Sequence, residues 1–561
     1  MKHKIIGLWL IAFQIISIAV SSQNKISGSV VDGVTKQPLV GASISYGNYK
    51  TFSTTEGRFS IPCSGNEKLV ITYVGYKTVA LDIANCVFPE TIFLYPQETT
   101  LDSIEVTTTS SPYKKLLYHP ASITKLNRME LNRGTGLFLD DAIQTNSTGV
   151  TMNRRSVSGG QQLNIRGYGN GARGTRGISS NFDGQGYKVY LNGIALTDAE
   201  GITVFDDIDF ASLQNVEITK GPAGSLYGLA IAGAVNLTTI KPEKGKTSIA
   251  YSSLMGNYGL SRQTTTFQSA GEKSSLLINY GVQRSKGFML HNASHKKFVN
   301  LVSEFTPNAK TVVSGYFGYS DSYDERAGEL TITQYESDDY SGNPEYIKRN
   351  AHSHVNTFRA GIGYTHEWAK WLSNTTTGFG TAFNSDVSSA GGWTDKGSMN
   401  IGLRSVFNLK FALGKQVLLS GVTGAEWQKQ IANTLGYNMK QNPKDTSSAW
   451  TLGINPYWVI NAQTANVYTV ANTNTWFSEW TLSLPKEFSF IAGVGSSRLG
   501  LSLNDRFNPE LVTRPSTFEK TYGNMAAPHF SINKVIRKKI SVFANYSIGF
   551  KAPVSSYFYI T

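Results

Sequence analysis

The sequence predicts an all-β-dominated chain: an N-terminal β-sandwich, then a small α+β domain, then an antiparallel transmembrane β-barrel. Composition is the first observation behind this. Aromatic residues make up 12% of the 561, glycines number 54 and charged residues are only 16%, a mix that favours extended strands joined by many turns. The second is a mean hydropathy of −0.21, too low for a bundle of membrane helices but compatible with barrel strands, which alternate apolar and polar positions. The third is an export signal. Lys2, His3 and Lys4 precede an apolar run from Ile5 to Val20, and Val20-Ser21-Ser22 offers small residues for cleavage, so residues 1–22 read as a signal peptide. No later run reaches the apolar length of a membrane helix. The net charge of +13 would suit nucleic acid, but the basic residues are scattered rather than clustered, which argues against that partner.

Residues 23–97 show short alternating runs broken by Asp32-Gly33, Pro38, Glu56-Gly57 and Gly65-Asn66, the pattern of a small β-sandwich. Gly28-x-Val30, Pro38-Leu39-x-Gly41-Ala42, Thr55-x-Gly57-x-Phe59 and Val74-Gly75-Tyr76 give this region a resemblance to the carboxypeptidase-regulatory-like domain. It has no zinc-ligand cluster, so a structural or interaction role is expected rather than peptidase activity. Cys63 and Cys86 are the only cysteines. An oxidising compartment would allow a disulfide between them, and two buried thiols are the alternative.

Residues 98–114 contain "TLDSIEVTTTSSPYK", where Ile104, Glu105, Val106 and Thr107 form a short β-prone run between polar flanks, able to pair with a foreign sheet edge or to serve as plain linker.

In residues 115–243, "DAIQTNSTGV" reads as a short amphipathic helix ending near Gly149, followed by the strand-like "QQLNIRGYG" and the strand and turn of "YKVYLNGIAL". "VEITKGPAGSLYGLAIAGAVNLTT" then reads as a strand, a glycine-proline break and a second strand of small residues. It lacks the Lys-Ser/Thr pair of a phosphate loop. Asn164-Ile165-Arg166-Gly167, Tyr190-Leu191-Asn192-Gly193 and the run Val216-Glu217-x-x-Lys220-Gly221-Pro222-x-x-x-Leu226-Tyr227-Gly228, leading to Gly233-Ala234-Val235-Asn236, resemble the plug domain of TonB-dependent outer-membrane receptors. One departure is Asn192, where that family usually has Asp. The resemblance implies a plug inside a barrel, with Gly221-Pro222 turning the chain under the wall. It also implies that Arg166 and Glu217 are buried and pair with each other or with barrel charges, a direct role in substrate passage being the alternative. Residues 104–107 would then be the segment that adds a strand to TonB, the periplasmic arm of an inner-membrane energising complex.

Residues 244–561 alternate over long strands. In "KKISVFANYSIGFK", Ile540, Val542, Ala544, Tyr546, Ile548 and Phe550 share one face, with Phe543 an exception on the other. Leu276, Ile278, Tyr280 and Val282 repeat the scheme, as do Leu403, Phe407, Leu409 and Phe411. Tight connections are expected at Thr306-Pro307-Asn308, Gly414-Lys415 and Pro485-Lys486-Glu487, and long irregular loops at 321–354, 429–473 and 499–522. Short turns on one side and long loops on the other fit the outer membrane of a Gram-negative bacterium, with lipid as a partner. The runs count to about thirteen strands, an odd number where such barrels are even. The family's barrels close with about twenty-two, so the expectation is a barrel incomplete at the C-terminus.

The resemblance implies active import of a scarce nutrient, with a ferric siderophore as the first expectation. A glycan importer of the SusC kind and a passive porin or surface adhesin are the alternatives. The loop "SDSYDERAGELTITQYESDDYSGNPEYIKR" supplies Tyr323, Arg326, Tyr335 and Tyr340 as candidate ligand contacts, with Arg173 and Arg176 from the plug, because aromatics give broad contact and arginines grip anionic chelates. No enzyme activity, cofactor or metal is expected. "GNGARG" is not followed by a helix, "KGKTS" lacks the first glycine of a phosphate loop, and His291/His295 and His352/His354 lack carboxylates at ligand spacing.

Overall fold

The computed structural model describes residues 25–95, 105–106, 114–169, 186–442, 458–508 and 515–555, apart from interruptions at 34, 64–66, 74–75, 77, 84–85, 87–88, 133–136, 138, 155–159 and 552. The signal segment, Ile104, Thr107, Arg173 and Arg176 lie outside the described residues. The chain forms two compact units, 1–104 and 105–561.

In the first unit, Lys25–Asp32 pairs antiparallel with Arg58–Pro62 and parallel with Thr91–Leu94. A second sheet takes the order Tyr49–Phe52, Ser43–Tyr46, Lys68–Thr72, Val79–Asp82. Alternation along each strand sends Ile26, Val30, Ile44, Phe59, Ile71 and Leu94 into one core. Gly57 has φ +73, and a Cβ there would lie 2.6 Å from the Val30 carbonyl oxygen, so only glycine lets this turn close. The Tyr76 hydroxyl donates to Asp32 Oδ2 at 2.6 Å. Cys63 and Cys86 are joined as a disulfide with their Cα atoms 6.1 Å apart.

The second unit begins with a mixed sheet in the order Ser122–Asn127, Leu213–Lys220, Gly233–Thr239, Tyr187–Leu191, Ile194–Ala195. The helix Leu139–Asn146 and a small sheet of Val150–Asn153, Gln162–Ile165 and Tyr168–Gly169 accompany it. Asn192 (φ 49°) and Gly193 (φ 83°) both take positive φ, the geometry that a two-residue hairpin needs and that Asn-Gly supplies at least cost. The stretch after Gly221 holds a helical turn, Gly224–Tyr227, that alternation alone does not reveal.

Among the described residues thirteen antiparallel strands follow, from Thr247–Met255 to Ile540–Ser547, each paired with its neighbour in sequence. Their inward face meets the plug. Their outward face carries the apolar residues, such as Leu403 at 49% exposure and Phe407 at 39%, while Asn400 and Arg404 on the opposite phase are buried. Pro307 is absorbed by a bulge between Phe305 and Asn308, and the reversal falls at residues 309–310.

The long loops are shorter than expected. Val417–Gln441 and Trp458–Leu484 run 25 and 27 residues, so most of 429–473 is strand. Phe488–Asp505 and Thr517–Ile536 likewise consume most of 499–522. At about 3.3 Å per residue the longest strand extends for nearly 90 Å against an apolar band of about 25 Å. Beyond the lipid the outward positions no longer have to be apolar, so alternation fades while pairing continues. The 321–354 stretch does hold a loop, with helices Ile332–Glu336 and Pro344–Ile347 capped by Thr331 and Asn343.

Candidate functional site

The plug is held to the barrel wall by buried charge. Arg359 Nε lies 2.8 Å from Asp207 Oδ2 and its Nη2 3.1 Å from Oδ1, a two-point grip on a carboxylate with no exposed surface. Its Nη2 also donates to the Val204 carbonyl at 3.3 Å and its Nη1 to Thr381 Oγ1 at 2.9 Å. Asp209 pairs with Arg262 of the wall, whose Nη1 donates to Gln283 Oε1 at 3.1 Å. Burial raises the third carboxyl of this plug run, Asp206, above its ordinary range.

A second anchor centres on Glu426 of the wall. Arg404 Nη1 approaches it at 2.8 Å, the Tyr190 hydroxyl donates to it at 2.8 Å, and Lys188 Nζ lies 3.4 Å away. Arg404 also donates to the Leu226 carbonyl at 3.1 Å and sits 4.9 Å from the Tyr190 ring centre and 5.5 Å from that of Tyr227. Burial pushes the Tyr227 hydroxyl up to about 12, so it stays protonated. At the third anchor, Ser225 Oγ donates to Glu479 Oε2 at 2.6 Å, and His529 Nδ1 is 2.8 Å from the same oxygen.

Between these anchors the backbones touch. A Cβ on Gly224 would lie 2.6 Å from that of Ala527, and one on wall residue Gly495 would collide with the Gly224 carbonyl. Gly228, at φ 71° and ψ −115°, leaves 2.6 Å between a built Cβ and Thr475 Oγ1 and 2.8 Å to Ser497 Oγ. Gly228→Ala is therefore expected to weaken plug seating by about 2–4 kcal/mol through strain and overlap together. Amide exchange over 224–239 rising in step would check it. A cavity of about 270 Å³ beside this turn is lined by Arg166, Lys220, Gly221, Pro222, Glu479 and His529, among others.

Two expectations need correction. Arg166 is exposed, not buried: it takes φ 51° ahead of Gly167 at φ 88°, on the tip of a tight hairpin, and donates to the Lys220 carbonyl at 3.3 Å. Glu217 is buried as expected, but its partner is Lys125 at 2.9 Å on the adjacent plug strand.

Among the described residues, the candidate ligand contacts Tyr323, Arg326, Tyr335 and Tyr340 are not brought together. Tyr323 lies on the outward face, stacked between His295 and His352 at 5.3 and 5.1 Å. Tyr335 is exposed on the loop helix, and Tyr340 contacts Phe288 while its hydroxyl donates to Asp338. Arg326 is half-buried beneath the same loop. Within the segment expected to couple, Glu105–Val106 pairs antiparallel with Lys114–Lys115.

Sequence reasoning missed Asp206, Asp207, Asp209, Arg359, Arg404, Glu426 and Glu479. The available signals were "FDDIDF" in a chain short of acids, and charges on the inward phase of strands otherwise lined by small residues. Asp198 was missed too. Burial, and then the nearby Glu200, push its carboxyl up to about 7. Its contribution to stability is present below about pH 4 and lost as pH rises through about 7.

Three family models match the chain. The TonB-dependent Receptor Plug Domain matches residues 115–235, the CarboxypepD_reg-like domain 26–106, and the TonB dependent receptor-like beta-barrel 291–561. A curated relative, the vitamin B12 transporter BtuB of Vibrio vulnificus (strain CMCP6), is 24% identical over 360 residues, which cover 63% of this chain and 54% of the relative. Two solved structures share the fold. The siderophore receptor PiuA from Acinetobacter baumannii has a TM-score of 0.63 at 14% identity, covering 80% of this chain and 66% of its own. The ferric citrate transporter FecA, unliganded, has a TM-score of 0.61 at 12% identity, covering 78% and 64%. The chain thus spans about half the length of the curated relative and under two thirds of FecA. With plug and barrel models matched in that order over most of its length, the chain belongs to the TonB-dependent receptors, a family of Gram-negative outer-membrane proteins that are not enzymes.

Proposed function

We propose that this receptor imports a scarce solute actively across the outer membrane, with TonB and its inner-membrane complex supplying the energy. The carrying observation is the buried seat of the plug. Arg359–Asp207, Arg262–Asp209 and the Arg404–Glu426–Lys188 group fasten it to the inward face of the wall. A passive porin would gain nothing from such a seat, whereas a plug displaced by mechanical work needs one that holds until pulled.

A ferric chelate is the proposed ligand class. Two structural neighbours, a ferric citrate transporter and a siderophore receptor, support it. Deleting the receptor is expected to lower uptake of radiolabelled ferric chelate by about tenfold or more under iron limitation. Unchanged iron uptake with lost growth on one polysaccharide would replace this ligand with a glycan while leaving active import standing.

A further inference from the structure

The long loop between Glu325 and His352 is held at its returning stem by three backbone carbonyls in a row. Ser388 Oγ donates to the Arg349 carbonyl at 2.8 Å, His352 Nδ1 to that of Asn350 at 2.6 Å, and His291 Nε2 to that of Ala351 at 2.9 Å. Further along the loop, the Trp458 amide donates to the Lys348 carbonyl at 3.1 Å, Arg349 lies 4.1 Å over the Trp458 ring, and Tyr340 meets Phe288 at 5.7 Å. The loop is a strap laid from the connection that carries Phe288 to the head of the strand Trp458–Leu484.

The imidazoles at this stem differ in the protons they need. Burial holds His291 below its ordinary value, and the neutral ring supplies the single N–H that the Ala351 carbonyl takes. His352 needs two: Nδ1 serves Asn350 while Nε2 lies 3.2 Å from Asp386 Oδ1, and neither oxygen can donate. His354 also needs two, with Nε2 2.8 Å from Asp321 Oδ1 and Nδ1 3.4 Å from Asp386 Oδ2. A neutral imidazole has one N–H, so both rings make all their contacts only as imidazolium. The surrounding groups favour that charge. Glu325 stands opposite His352 and Asp386 opposite His354 in the strand register, Asp321 is one pair further along, and Asp395 stands opposite Asp386. The cations are Lys297, which faces Asp321, and Arg349, which pairs with Glu345. Tyr323 and Trp393 cover the His352 ring at 5.1 and 5.0 Å, with His295 on the far side of Tyr323.

We propose that His352 and His354 form a proton-operated clasp at the root of this strap, closed while both imidazoles are charged and released when they lose a proton. An imidazole changes charge between about pH 5 and 8. The extra hydrogen bonds belong to the protonated rings, so the hold is complete at the acid end of that range and is lost as pH rises through it. Release has a ready partner. Asn356 Oδ1 accepts from the Tyr319 hydroxyl at 3.2 Å, which leaves its Nδ2, 3.3 Å from His354 Nε2, to donate once that nitrogen is deprotonated. Asp321 then keeps only Lys297 opposite it. The loop carries Tyr335 and Tyr340, so the clasp governs the mobility of the outer surface whichever solute is carried.

The test is amide exchange on the purified full chain in detergent micelles, each rate being divided by the intrinsic rate at the same pH so that only protection is compared. The amides of 347–351 all have backbone partners in the loop. Their protection is expected to fall about tenfold or more between about pH 5.5 and about pH 8, while that of wall residues 357–363 stays constant. His352→Gln with His354→Gln should remove the step, because an amide side chain carries no titrating proton. Asp386→Asn takes a carboxylate from both rings, should flatten the step, and decides alone where the Gln pair lowers protection of the wall. His366→Gln, near the other end of the same strand, should leave the step intact. No step in the unaltered chain, a step that survives the Gln pair or Asp386→Asn, or one that disappears with His366→Gln would each overturn the clasp.

Discussion

Arg359→Ala is expected to loosen the plug by about 3–5 kcal/mol, because it strands the Asp207 carboxylate in a site with no solvent exposure. The loss goes beyond one ion pair: the guanidinium also holds the Val204 carbonyl and Thr381. Amide exchange at residues 204–210 should accelerate by about two to four orders of magnitude, the population change that such a loss implies. Arg359→Met combined with Asp207→Asn should recover much of the protection, since two neutral groups leave no buried charge uncompensated. Exchange unchanged in the single variant would mean that the anchor carries no load at rest.

Val106→Pro is expected to reduce uptake to the level of a cell without TonB while ligand binding at the surface stays normal. Proline removes a backbone donor and cannot serve a strand pairing. Glu105–Val106 is already extended and paired with Lys114–Lys115. A ribbon of two residues has little stability of its own, so a partner strand can displace it. Full uptake by the proline variant at normal protein level would place coupling elsewhere, and Val106→Ala should remain active because it keeps the donor.

What the sequence made legible was local. Asn192-Gly193 specified a hairpin because both residues tolerate positive φ, and Leu403 and Phe407 declared the lipid side by their phase. Arg166 was misjudged for the same reason: a residue beside a buried strand reads as buried unless the turn that swings it out is recognised, and here the arginine itself takes positive φ. The anchors were hidden by distance. Asp207 and Arg359 are 152 positions apart, and Tyr190 and Glu426 are 236 apart, so their meeting depends on how the plug sits against the wall. The outer reaches of the strands were hidden because pairing there is carried by backbone hydrogen bonds, which leave no hydropathy signal.

The neighbour-to-neighbour order of the wall has a consequence for how the molecule assembles. Most wall strands follow the previous one through a short connection, the loop between Glu325 and His352 being a long exception, and each short step has a small entropic cost that can be repeated hairpin by hairpin. The plug asks for the opposite. Asn533 donates to the Leu117 carbonyl across 416 positions and Asn545 to that of Pro120 across 425, while Asp209 reaches Arg262 only 53 positions away. A plug fastened early to the first wall strands becomes the surface on which the later ones are laid, and its last contacts can form only when those strands arrive. The spacing of the anchors therefore predicts an order, the early acidic run holding before the late asparagines can, which pulse-labelled amide exchange during refolding would check.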